Sequence, residues 1–415
     1  MNDRTKSRLT PLTLLRLILS RRMIVAALMG FSCGLPLLLT ISVLQAWMKE
    51  EGVDLSVIGL FALVGLPYTL KFLWAPILDR FTLPFLGRRR GWLLVIQILL
   101  AGAIAGLGLT NPSANPWWVA LAALGVTFFS ASQDIVVDAY RREDLADEEL
   151  GLGSSLYVNG YRLGMLLASG GGLIMADYIS FQQVYLIMSA CMIPGIITTL
   201  ATLEPPVDQG RPRTLKEAVI DPFIEYFSRS GALWILVFIL CYKLGDQMAS
   251  AMTTPFYLET GFSKTEIGAV VKLFGFWATI GGGFIGGILI LRLKIIPSLF
   301  VFGVLQAVST AGFAALHYIG PSVPALAAVI GFENLAAGMG TSAYAAYMAS
   351  LTNKRFTATQ YALLSSLMGI PRVMAAAPTG FLAEWVGWPG FFIICTLVAL
   401  PGLLLIPKIK TLAAH

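Results

Sequence analysis

Twelve apolar runs separated by short polar breaks constrain this chain more than any other feature. They lie near 23–48, 56–78, 92–110, 116–140, 151–176, 182–203, 232–256, 264–291, 297–317, 322–350, 357–383 and 388–407. A helix needs about 20 apolar residues to cross a bilayer. The composition supplies what twelve crossings need, since 57% of the 415 residues are hydrophobic. Only 13% are charged, against about 25% in a soluble domain. The chain is therefore expected to be an all-α integral membrane protein with little outside the lipid, and not a water-soluble enzyme.

The longest polar segment carries Pro205, Pro206 and Pro212 and divides the runs six and six. The expected organisation is an N-terminal segment 1–22, a six-helix bundle 23–203, a connector 204–231, a second six-helix bundle 232–407 and a tail 408–415. Sparse identities relate the two halves. Gly52 and Gly59 after the first run recur as Gly261 and Gly268 after the seventh, Val95 and Gln97 as Val304 and Gln306, and Arg162 as Arg372. Two parallel six-helix bundles with a substrate site between them at mid-membrane fit this pattern, the architecture of the major facilitator class.

Charge orients the chain, because cytoplasmic loops of membrane proteins are rich in Lys and Arg. Of the 29 cations, only Lys49 and Lys264 fall on segments opposite the N-terminus, and five lie within the runs. Both termini are expected to be cytoplasmic. The net charge of +6 then reflects membrane topology, and no nucleic-acid partner is expected. Two histidines and four cysteines, each cysteine alone in an apolar stretch, leave no ligand spacing for a metal. Neither a metal site, a bound cofactor nor a catalytic residue is expected.

A charge at the centre of a membrane helix costs about 2.5–3.5 kcal/mol, so such residues face a cavity or a partner. Nine lie within the runs: Lys71, Arg162, Lys243, Lys272 and Arg372 against Asp134, Asp138, Asp246 and Glu333. Asp134 and Asp138, following Gln133, share one helix face at i,i+4 spacing. Crowded carboxylates in a low-dielectric cavity resist double ionisation, so one of them can exchange a proton, and Asp134 lies deeper. Asp138 is close enough to Arg141 and Arg142 to form a salt bridge instead. Lys243 and Asp246 are i,i+3 neighbours, either a self-neutralising pair or a cation held charged for a substrate anion. Arg162 and Arg372 could clamp a carboxylate bidentately, and Glu333 with Asn334 offers an anion and an amide. Lys71 and Lys272 could snorkel. One net positive charge among polar groups suits a hydrophilic anionic or zwitterionic solute. Glycines such as Gly160 and Gly164 would let helices approach closely. Pro36, Pro255, Pro371 and Pro378 would bend cavity-lining helices.

The loop containing Asp79, Arg80, Arg88, Arg89 and Arg90 is similar to the cytoplasmic loop signature of the major facilitator superfamily, with an insertion at Leu83-Pro84-Phe85 and Ala75 where glycine is common. The segments KFLWAPILDRFTLPFLGRRRGWLL, SASQDIVVDAYRRE, GYRLGMLLASGG, YKLGDQMASAMTTPF, FENLAAGMGTSAY and FTATQYALLSS resemble the AmpG-type muropeptide permeases, in the same order. That resemblance implies a proton-driven inner-membrane importer of GlcNAc-anhydro-MurNAc and its peptides, serving peptidoglycan recycling and β-lactamase induction. It implies a monomer in a lipid bilayer with a small-molecule substrate. By motif it assigns the family's polar positions to Asp134, Asp138, Gln133, Arg162, Lys243, Asp246, Lys71, Glu333 and Asn334. Longer family members carry further membrane helices after the twelfth, and transport is expected to survive that difference. A permease of the same fold for another hydrophilic anion, a ferric siderophore or an acyl-CoA, is the alternative.

Overall fold

The computed structural model describes residues 11–206, 214–229, 231–263, 266–368 and 378–412, and every regular element among them is helical. After a short amphipathic helix, Pro11–Ile18, the membrane helices are α1 (Arg21–Glu50), α2 (55–80, interrupted), α3 (Arg90–Gly108), α4 (Pro116–Asp144), α5 (150–176) and α6 (Phe181–Ala201). Two connector helices, Leu215–Val219 and Asp221–Ser228, precede α7 (Ala232–Thr260), α8 (Ile267–Leu293), α9 (Ile295–Ile319), α10 (Val323–Leu351) and α11 (Thr357–Leu367). The last helical stretch, Thr379–Leu412, breaks at Gly387 (φ 71°, ψ 167°), and its second part, 388–412, is α12.

Nine helical stretches among the described residues are long and apolar enough to cross a bilayer unaided. The other three apolar runs have identifiable reasons for falling short. The run expected as one helix over 56–78 is a chain of short helical and 3₁₀ turns, because Pro67 and Pro76 each remove a backbone donor. Helix α5 runs through a π-turn at Leu167–Gly171 and carries Asn159 and Arg162, which lower its apolarity. The eleventh run, 357–383, lies partly outside the described residues, as do Pro371, Arg372 and Lys264.

Within the first half, α1 lies directly on α5. A Cβ at Gly160 or Gly164 would overlap the carbonyl of Ala27 or Phe31, so only glycine permits that approach. Gly52 and Gly261 end α1 and α7 with positive φ of 76° and 100°, a conformation that glycine adopts without strain. The repeat seen in the sequence is thus a repeated helix terminator.

The buried apolar side chains form four clusters whose membership gives the packing of the halves. One contains Leu35, Val43, Leu100, Val119 and Val184, all from the first half. Another contains Phe256, Phe313, Ile330 and Phe392, all from the second. The remaining two mix the halves, joining Met23, Leu145 and Leu152 to Ile290 and Tyr344, and Val136 and Tyr140 to Ala358 and Ala362. The mixed clusters lie toward the end of the bundle that carries Arg88 and Arg355. The halves are therefore fused at the arginine-bearing face and packed separately toward the other.

Candidate functional site

A cavity of about 490 Å³ opens in the second half, lined by α7, α8, α9 and α10. Its charged lining is Arg162, Lys243, Lys272, Asp246 and Glu333, one net positive charge. Arg162 is the first half's sole contribution among the described residues.

Lys243 sits where α7 is interrupted, between Ala232–Tyr242 and Leu244–Thr260. Its ammonium donates to Gln306 Oε1 at 3.0 Å and less closely to Asp246 Oδ2 at 3.4 Å. The repeat partner of Gln306, Gln97, instead accepts from Thr199 Oγ1 at 2.7 Å, so the same position holds a cation in one half and a neutral bond in the other. Arg162 donates to the Thr279 carbonyl at 3.2 Å across the interface. Thr279 donates to Asn334 Oδ1 at 2.7 Å, and Asn334 donates to the Ile330 carbonyl at 3.0 Å. Glu333 is surrounded electrostatically by Asp246, Lys243 and Arg162. Thr253, Gln247 and Tyr257 add hydroxyl, amide and aromatic surface, which suits a solute carrying charge, hydroxyls and amides together.

Asp134 is not in this cavity. It is buried in α4 of the first half, where its carboxylate feels the charges of Lys71 and Asp138 beside the Cys33 thiol. Gln133 Nε2 donates to Cys33 Sγ at 3.3 Å. Asp134 Oδ1 has no hydrogen-bond partner among the described residues. Lys71 and Gln133, expected among the substrate-binding groups, thus surround the buried carboxylate. Lys71 does not snorkel either: the 3₁₀ turn Lys71–Leu73 turns it inward, where it is buried.

Asp138 forms the salt bridge that its spacing allowed, accepting from Arg141 Nη2 at 3.0 Å. Helix α4 continues past the expected end at 140 to Asp144, so Arg141 is a buried helix residue and not a loop cation. Its guanidinium lies over the rings of Tyr157 and Tyr361, at 4.6 and 5.5 Å, and donates to the Tyr361 hydroxyl at 2.9 Å. That bond ties α4 to α11.

The arginine loop makes the second tie. Asp79 accepts from Arg89 Nη2 at 2.8 Å and Arg88 Nη2 at 3.1 Å. It also accepts from the Thr359 hydroxyl at 2.7 Å and from the backbone N–H groups of Thr359 and Ala358 at 2.8 and 3.3 Å. A carboxylate at the first turn of α11 satisfies donors that the helix leaves unpaired and complements its dipole. Arg88 also donates to the Arg355 carbonyl at 3.1 Å. Arg89 is fully buried; burial alone would favour losing its proton, but Glu143, at 2.6 to 3.2 Å, and Asp79 hold its pKa above the ordinary value. Burial and the like charge of Arg89 push Arg88 the other way. Arg90 binds the carbonyls of Thr199 and Leu200 at the end of α6, and Arg80 lies over the Phe81 ring.

Further bonds cross from α5 to α8, from Ser155 to the Gly283 carbonyl and from Asn159 to that of Ile280. Along α5, Arg162 makes the last of these cross-half bonds among the described residues. The halves are tied together by hydrogen bonds on the arginine face. Glu143 and Tyr361 were not among the residues the sequence singled out. The run Tyr140-Arg141-Arg142-Glu143 was the available signal for Glu143, and the segment FTATQYALLSS that for Tyr361.

A two-lobed helical membrane bundle with a polar cavity in one lobe, reached by an arginine of the other, fits a secondary transporter. The Major Facilitator Superfamily model matches residues 22–376. The chain belongs to that superfamily and, within it, to the anhydromuropeptide permease (AmpG) family. It is 45% identical to the anhydromuropeptide permease of Escherichia coli (strain K12) over 394 residues, covering 94% of this chain and 80% of the relative. Solved structures share the fold. FucP, a major facilitator superfamily transporter in the outward conformation, superposes with a TM-score of 0.72 at 12% identity, over 95% of this chain and 99% of that one. The proton:xylose symporter XylE gives 0.69 at 11% identity, over 94% and 95%.

Proposed function

We propose that the chain imports anhydromuropeptides, GlcNAc-1,6-anhydro-MurNAc and its peptides, across the bacterial inner membrane by alternating access. A proton gradient is its energy source, and it needs no bound cofactor. The observation that carries this reading is the mixed-charge cavity, found in a chain similar along 94% of its length to an anhydromuropeptide permease. Arg162 and Lys243 would meet the carboxylates of the peptide, Asp246 and Glu333 its ammonium, and Asn334 the sugar hydroxyls and amides; Arg372 would complete the clamp. The arginine face is the cytoplasmic one, with both termini on it, and the protein acts as a monomer of two bundles, 23–203 and 232–407. The product feeds peptidoglycan recycling and β-lactamase induction.

Asp134 carries the proton. Its charge and that of Lys71 act on each other, and Lys71 stands on α2, whose far end holds Asp79 against α11. Protonation of Asp134 removes the counter-charge of Lys71, and movement of α2 would release the gate. Asp138, bound to Arg141, acts on the gate more than on the proton.

The test is uptake of labelled GlcNAc-anhydro-MurNAc-tripeptide into proteoliposomes with and without an inward proton gradient. Gradient-dependent accumulation is expected. Absence of uptake beside an active control permease, or competition only by a siderophore or acyl-CoA, would overturn the substrate.

A further inference from the structure

A second cavity, of about 970 Å³, lies on the arginine-bearing face, away from the transport site. Its floor is apolar, built from Ile235, Ile290, Ile295, Ile296 and Ile409. Lys294 and Lys410 stand among its lining residues. The other charges there are largely spent. Arg229 is neutralised by Glu225 at 2.6 Å, and Asp147 by Arg142 at 2.8 Å. Neither Lys294 nor Lys410 has an ion-pair partner among the described residues, so with Glu148 at the rim the cavity keeps one net positive charge.

The backbone singles out Lys294. It is the one-residue link between α8 and α9, with φ 65° and ψ 169°, a region occupied almost exclusively by glycine. A lysine in that conformation persists where its side chain is needed, and strained positions of this kind gather at ligand clamps. Nearby on α12, Lys408 Nζ lies 3.3 Å over the Trp234 ring, an aromatic and cation pairing typical of the headgroup level of a bilayer.

We propose that this cavity is a binding site for an anionic membrane phospholipid, its phosphate held between Lys294 and Lys410 and its acyl chain lying on the isoleucine floor. The chemistry is complementary at both ends: two ammonium groups without ion-pair partners among the described residues for the phosphate and an isoleucine floor for the chain. Because Asp147 and Glu148 of the first half and Lys294 and Lys410 of the second border the same cavity, the lipid spans both halves in the conformation closed on this face. The inference does not depend on the identity of the transported solute.

The experiment is native mass spectrometry of the purified full chain titrated with phosphatidylglycerol or phosphatidylcholine, alongside soluble glycerophosphate. Phosphatidylglycerol should form a saturable one-lipid adduct that phosphatidylcholine and glycerophosphate do not reproduce. The double variant Lys294→Ala/Lys410→Ala should weaken it about 30-fold, at about fivefold per surface cation. Lys294→Arg/Lys410→Arg should keep it, and Lys216→Ala/Lys354→Ala, removing two cations elsewhere on this face, should leave it unchanged. Equal binding of the two lipids by the unaltered protein would overturn the proposal, as would equal losses in the two alanine pairs. Binding of glycerophosphate alone would reduce the site to a phosphate pocket and overturn the lipid assignment.

Discussion

The two halves repeat a helix terminator and a few residues but treat buried charge in opposite ways. In the first half α1 lies against α5 through Gly160 and Gly164, and a carboxylate is sealed beside Lys71 and Cys33. In the second, α7 breaks at Lys243, and the charges line an open cavity. The same repeat position, Gln97 or Gln306, serves a neutral bond in one half and a lysine in the other. A close-packed lobe can hold a proton away from water and transmit its presence through a helix. An open lobe can exchange hydrogen bonds with a large solute. On the proposed function, ion and substrate belong to different lobes, joined by Arg162 and by the ties on the arginine face.

The largest expected effect lies at the gate. Asp79→Ala leaves Arg89 buried with one counter-ion fewer and α11 uncapped, and should lower stability by about 3–5 kcal/mol. Thermal unfolding in detergent measures this, and an unchanged Tm would contradict the gate geometry. Next is Lys243→Ala, which removes a cavity cation without disturbing the first lobe. Loss of a charged hydrogen bond of about 1.5–3 kcal/mol should weaken muropeptide binding by about 10- to 100-fold with little change in Tm. Gly164→Val inverts that pattern. It forces α1 and α5 apart and should lower Tm through about 1–3 kcal/mol of overpacking, while folded protein binds normally. Equal effects of these two variants on binding would break the division between lobes. The smallest effect belongs to Lys272→Ala, a solvent-exposed cation in the cavity rim, expected to raise the apparent KM about threefold.

Much of this was legible in the sequence. Length and apolarity announced the helices, and the cost of charge in lipid singled out Asp134, Lys243, Asp246 and Glu333 by expense alone. What the sequence withheld was orientation. Whether Lys71 points along its helix or inward depends on a 3₁₀ turn between Pro67 and Pro76 that packs against α11 and α4. Arg141 read as a loop cation because hydropathy ends at 140, whereas the helix is carried four residues further by a salt bridge and two aromatic rings. Which of the eight described charges line the cavity and which are sealed away is likewise tertiary, since the direction a side chain takes is fixed by neighbours distant in sequence.

The separation of proton and substrate is tested most directly by Asp134→Asn in two assays on the same preparation. One measures calorimetric binding of GlcNAc-anhydro-MurNAc-tripeptide, the other its accumulation in proteoliposomes under an inward proton gradient. Wild-type affinity with accumulation abolished is the expected result. Retained accumulation, or affinity lost together with it, would place proton and substrate in a single site and contradict the division of labour between the lobes.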